Sequence, residues 1–199
     1  MSKALDLARE LVKKLEEDEK DNKIQLSELN PGDAFKVEEY DFIVLEQENG
    51  TTKVISKDIM AENVCFDKNT RDYNKSNLKK MIETDIQPII ENAVGGENLV
   101  EHTASLMSVD MQNEFENLVC KVRPITFDEA RSYNNLLVNK NLNSWWWTCT
   151  PWSTKDRGYE YSIAVVAPSG NFGNDICDCS RGVRPFCILK SNIFVSKGE

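Results

Sequence analysis

Two residue types in this chain could carry covalent or metal chemistry: the single histidine, His102, and the six cysteines at 65, 120, 149, 177, 179 and 187. A hydrolytic triad or a cysteine–histidine pair would have to recruit His102. The stretch Glu101-His102-Thr103 brings no supporting motif for either, so a surface or hydrogen-bonded histidine is the expected state. Cys177-Asp178-Cys179 offers thiolates for zinc, with Cys149 and Cys187 as further donors if strands bring them near. Structural zinc sites are built from paired Cys-x₂₋₄-Cys spacings, and one Cys-x-Cys loop falls short of that. Reduced thiols packed as small apolar groups are the expectation. Glu114 with Glu116, and Asp128 with Glu129, read as solvated faces or helix-start residues, and there is no glycine-rich phosphate loop. The residues therefore predict no catalytic set, no cofactor and no metal. A cysteine- or zinc-dependent enzyme is the third-ranked reading.

These residues hang on a series of legible elements. Leu5, Ala8, Val12 and Leu15 are spaced as one apolar stripe of a helix, flanked by Ala4 and Leu11. This arm, placed at residues 1–24, is expected either to fold back on the domain at 25–199, the preferred alternative, or to pair with a partner or a second copy. Asn30-Pro31-Gly32-Asp33 is a turn. Phe35–Val37 and Tyr40–Leu45 read as strand, and Asn49-Gly50 as a hairpin turn returning into Thr52–Ile55. A helix is expected from Ser76 to Asn92, with a kink near Gln87 caused by Pro88, and Gly95-Gly96 ends it. Residues 97–124 give no clear pattern beyond a strand at Leu118–Val122. Thr126 and Glu129 form a capping box that starts a helix buried through Ala130, Tyr133, Leu136 and Leu137. Strands follow at Trp145–Cys149, Tyr161–Ala167 and, with an interruption, Phe186–Val195. That order is α+β, not βαβ.

The last third carries ordered motifs: Trp145-Trp146-Trp147-Thr148-Cys149-Thr150-Pro151, then Val165-Val166-Ala167-Pro168-Ser169-Gly170, then Gly182-Val183-Arg184-Pro185-Phe186. From Gly32 to Val195 the chain resembles an uncharacterised domain family of bacteriophages, prophages and their hosts, marked by a tryptophan pair and a terminal Gly-Val-Arg-Pro strand. The resemblance implies a C-type-lectin-like fold, two helices packed on antiparallel sheets, with its variable surface between those motifs. That window, Trp152 to Arg181, contains the candidate contact residues Trp152, Tyr159, Asn171, Phe172, Asn174 and Asp175, an aromatic and polar mixture suited to recognition. The three tryptophans at 145–147 are expected in the core. Gly182 is expected to relieve backbone crowding, and Arg184 to meet a buried acid or carbonyls.

The net charge of −9 divides as −6 over residues 1–60, −4 over 61–140 and +1 over 141–199. Such a balance repels phosphate backbones, so direct nucleic-acid binding is not expected, whereas a basic protein would be attracted. No apolar run is long enough for a membrane span, and the first residues do not resemble a secretion signal, which predicts a cytoplasmic protein. The family context adds an expectation of an inhibitor that blocks a basic host protein, such as a nucleic-acid-guided nuclease, in the anti-CRISPR manner. The alternative is a lectin-like module that binds a carbohydrate or a surface protein.

Overall fold

The computed structural model describes residues 5, 7, 9–13 and 23–198. Among the described residues there are fourteen strands: β1 (Lys23–Gln25), β2 (Ala34–Val37), β3 (Tyr40–Glu48), β4 (Thr51–Ser56), β5 (Ala61–Cys65), β6 (His102–Ala104), β7 (Leu118–Cys120), β8 (Val122–Pro124), β9 (Trp146–Pro151), β10 (Ser162–Val166), β11 (Phe172–Ile176), β12 (Ser180–Val183), β13 (Pro185–Lys190) and β14 (Phe194–Lys197). A seven-stranded sheet runs β1-β14-β2-β3-β4-β13-β8, a five-stranded sheet β11-β10-β9-β12-β5, and β6 pairs β7. All pairings are antiparallel except β9 with β12. The architecture is α+β. Lys23 and Ile24, assigned from sequence to the arm, are strand residues paired with Ser196 and Val195.

Alternation along the seven-stranded sheet, interrupted in β3 by a bulge between Val44 and Glu46, creates two cores. Phe42, Val44, Val54, Cys187 and Leu189 face one of them, while Leu45, Ile55 and Phe186 face the other. The first core is closed by α1 (Asn77–Met81), a π-helical turn Ile82–Ile86 and α2 (Gln87–Val94), which run on as one rod burying Leu78, Ile82, Ile86 and Ile90. Ser76 caps it by accepting from Lys79 N at 3.1 Å, and Gly95, at φ +82°, ends it. The expected break at Pro88 is taken up by the wider π turn just before it. The second core is closed by α3 (Phe127–Ser132) and α4 (Asn134–Leu137), through Ala130 and Leu137. Asn49 and Gly50 both take positive φ between β3 and β4, the two-residue hairpin geometry.

The tryptophan pair joins the two cores. Trp147 lies in the first and Trp146 in the second, both fully buried. Each contributes about 4–6 kcal/mol by area. Trp147 donates from Nε1 to the Val64 carbonyl at 2.8 Å. The Trp146 N–H has no partner; its ring instead carries the Arg184 guanidinium at 4.8 Å. Trp145 departs from the core expectation and is 37% exposed, because it precedes the strand and lies at the sheet margin.

Leu5, Leu7, Leu11 and Val12 are helical and exposed, so these side chains are not packed on the domain as the preferred reading had it. Ala8 and Leu15 lie outside the described residues. No helix among the described residues is long and apolar enough to cross a membrane.

Candidate functional site

The window between the tryptophans and Gly182-Val183-Arg184-Pro185 is built on β9, β10, β11 and the loops between them. β11 is the outer strand of its sheet, in register Val166↔Phe172, Val165↔Gly173, Ala164↔Asn174 and Ile163↔Asp175. Period-2 alternation therefore sends Phe172 and Asn174 to one face and Gly173 and Asp175 to the other. On the first face the rings of Phe172 and Phe127 lie 4.9 Å apart, and Phe127 meets Trp152 edge-on at 6.5 Å. On the other, Trp145 covers Gly173, where an added Cβ would sit 3.0 Å from the indole Cζ3. Asp175 pairs with Arg181.

The structure separates the six candidate contact residues. Tyr159, Asn171 and Asn174 are exposed, whereas Trp152, Phe172 and Asp175 are half-buried. Phe172 and Asp175 are partly committed inside the fold, to Phe127 and Arg181. Three exposed apolar side chains lie in or beside this region without having been singled out: Trp145, Tyr161 (45% exposed) and Ile176. Neighbour pattern could have found Ile176, which sits at the solvent end of an alternating edge strand.

The loop after β9 is held from outside the window. Asp110 accepts from Ser153 Oγ at 2.6 Å and from Ser108 Oγ at 2.6 Å, and pairs with Arg157. Hydrogen bonds from Ser108 and Ser153, with Arg157, hold its carboxyl down at about 2. Val109 N donates to the Pro151 carbonyl at 3.1 Å. Sequence periodicity gives no sign of this clamp because every bond in it is tertiary or confined to a turn.

The groups able to do chemistry lie elsewhere and are bound into the framework. Arg123 is almost fully buried. It grips Glu129 with both terminal nitrogens, at 2.7 and 2.6 Å, donates from Nε to His102 Nε2 at 3.1 Å, and lies 4.3 Å over the Phe186 ring. Burial raises the Glu129 carboxyl, but Arg123 outweighs it and the net displacement is downward. His102 Nδ1 is 3.2 Å from the Val100 carbonyl, which makes it the donor and Nε2 the acceptor, a neutral ring. Burial and Arg123 both lower its pKa. The thiol of Cys120 is 3.9 Å from that Nε2, but burial pushes Cys120 up to about 11, and Cys149 to about 12. Cys177 is raised to about 11 by burial and by Asp178 and Asp67. All six cysteines are free, and among the described residues no three His, Cys, Asp or Glu side chains converge to hold a metal.

Arg184 donates to two carbonyls, Ser56 O at 2.9 Å and Leu137 O at 3.0 Å. Burial lowers its pKa to about 10. Gly182 makes room for a side chain, not backbone as expected: an added Cβ would stand 2.5 Å from Ile59 Cδ1. The signal missed in sequence is a repeat. Val122-Arg123-Pro124 duplicates Val183-Arg184-Pro185, Pro124 pairs with Pro185 across β8 and β13, and both arginines lie over aromatic rings.

No family model, curated protein or solved structure matches this chain.

Proposed function

We propose that this chain is a non-enzymatic binding protein of phage or mobile-element origin, with a C-type-lectin-like domain, that acts in the cytoplasm by occluding a basic host protein in the anti-CRISPR manner. The observation that carries this reading is the placement of aromatic surface. Among the described residues, three of the four exposed aromatic side chains, Trp145, Tyr159 and Tyr161, belong to one stretch hung on the buried Trp146–Trp147 pair. Rigid aromatics on fixed loops give contact area at low entropic cost. The acidic balance of the chain favours a basic partner and steers its approach.

Two further features support binding over catalysis. The thiols lie above the range where thiolate is present at neutral pH, and the histidine lone pair is already taken by Arg123. The lectin-like reading of the fold draws on two helical stretches packed on antiparallel sheets. The alternative, a module for a carbohydrate or surface protein, draws on Trp145, an exposed indole above Gly173, on the same strand face as the Asp175–Arg181 pair.

Affinity capture from bacterial lysate, run beside a glycan array, tests the choice. A basic protein retained at low salt and released at high salt is the expected result. A capture set without one, or a glycan signal that Trp145→Ala abolishes, would sink the inhibitor reading.

A further inference from the structure

Residues 105–117, between β6 and β7, contain no helix or strand, yet they are fastened at two points. One is the Asp110 clamp. At the other, Arg71 donates to Glu114 Oε2 at 2.5 Å and lies 4.9 Å over the Phe115 ring, and Asn74 donates to the Glu116 carbonyl at 3.1 Å. β7 turns Leu118 and Cys120 inward and leaves Val119 58% exposed. Between these fixtures lies an open groove of about 610 Å³ lined by Asp72, Lys75, Glu114, Phe115, Glu116 and Val119, among others. A second cleft of about 460 Å³ shares Glu114 and is walled by Thr154, Lys155, Asp156 and Arg157 of the clamped loop. Glu114 thus stands between the groove and the loop that leads to Tyr159.

We infer that this groove is the docking site for a short basic segment of a partner protein, one bearing an apolar side chain among its lysines or arginines. This rests on the reading of the chain as a binder of a basic protein, and names where the charge would be met. The occupant follows from the lining. Three carboxylates face one ammonium, and Lys75 is already paired with Asp72 at 2.9 Å. Glu114 is paired with buried Arg71, whereas Glu116 makes no direct ion pair with any described residue and interacts with Lys75 only at longer range. Phe115 and Val119 supply an apolar floor between the acids. A phosphate backbone would be repelled here, and an uncharged apolar peptide would leave the carboxylates desolvated without partners. Residues 141–199, which hold the whole aromatic window, carry +1, so the attraction for a basic partner has to come from acids outside them, and this groove adjoins the window through the Arg71 bond to the Glu160 carbonyl.

The test is fluorescence anisotropy of a labelled lysine–leucine peptide with the full chain, with a glutamate–leucine peptide as control. Saturable binding of the basic peptide alone is expected, weakened about tenfold by Glu116→Lys, less by Glu116→Gln, and also weakened by Val119→Ser. Both positions of change are at the surface, and unaltered thermal melting confirms that the variants fold. Binding that survives Glu116→Lys and Val119→Ser but is lost with Tyr159→Ala overturns the groove and leaves the proposed function standing. No binding of the basic peptide, together with capture of no basic protein from lysate, overturns both.

Discussion

Arg123 donates its Nε–H to Nε2 of His102 at 3.1 Å, so the chain's single imidazole serves as a neutral acceptor inside the fold. Protonation at Nε2 would place a proton against that donor and a second positive charge beside the guanidinium.

A pH dependence follows. The folded pKa of His102 lies below its unfolded value, because burial and Arg123 disfavour the charged ring. The stability it contributes is therefore complete above the unfolded value, about 6.5, and is lost as pH falls from there through the folded pKa. Melting temperatures of wild type and His102→Gln, followed from about pH 7.5 to about pH 5, should diverge, with the wild type falling more steeply. Parallel curves would contradict the neutral-acceptor assignment.

Glu129 neutralises Arg123 and closes the capping box with Thr126, which it reaches at 2.9 Å from the backbone N–H. Glu129→Ala leaves a buried guanidinium unpaired and should cost about 3–5 kcal/mol in denaturant unfolding. Thr126→Ala, which removes the cap and one hydroxyl donor to Glu129 but leaves the Arg123–Glu129 pair in place, should cost about 1 kcal/mol. Equal losses would show that the ion pair contributes little.

Gly182 is fixed by its neighbour. Gly182→Ala forces a methyl into Ile59 and should destabilise by about 1–3 kcal/mol. Combining it with Ile59→Ala should cost less than the two single losses added together. Strict additivity would place the need for glycine elsewhere.

Thiol reactivity orders the cysteines. Cys120, Cys149, Cys177 and Cys187 are buried, and Cys65 and Cys179 partly exposed. Alkylation near neutral pH, read by mass spectrometry, should mark Cys65 and Cys179 first and slowly, and the other four only under denaturant. Rapid labelling of Cys120 or Cys177 in the native protein would revive a cysteine-based chemistry.

Where sequence carried a local mechanism, it was sufficient. The Thr126–Glu129 box, the Asn49-Gly50 hairpin and the carbonyl-bound Arg184 all appear as expected, because each depends on chemistry within a few residues or on one unambiguous buried charge. Residues 97–124 stayed opaque because Asp110, Arg71 and Arg123 order them through bonds that span 6 to 47 positions. Period-2 alternation sends Trp146 and Trp147 to opposite faces, one into each core. It could not show that Trp145 lies past the end of the cover. The candidate window was legible as a stretch, but its division into exposed and committed side chains depends on which strand β11 pairs with, and no local pattern encodes that.

Recognition by the aromatic window is the claim on which the rest turns, and paired captures from one lysate test it most directly. Wild type and the Trp145→Ala/Tyr159→Ala double variant, both confirmed folded, would be compared for the basic protein they retain. Retention by the wild type and its loss by the variant is the predicted outcome. Equal retention would contradict the account.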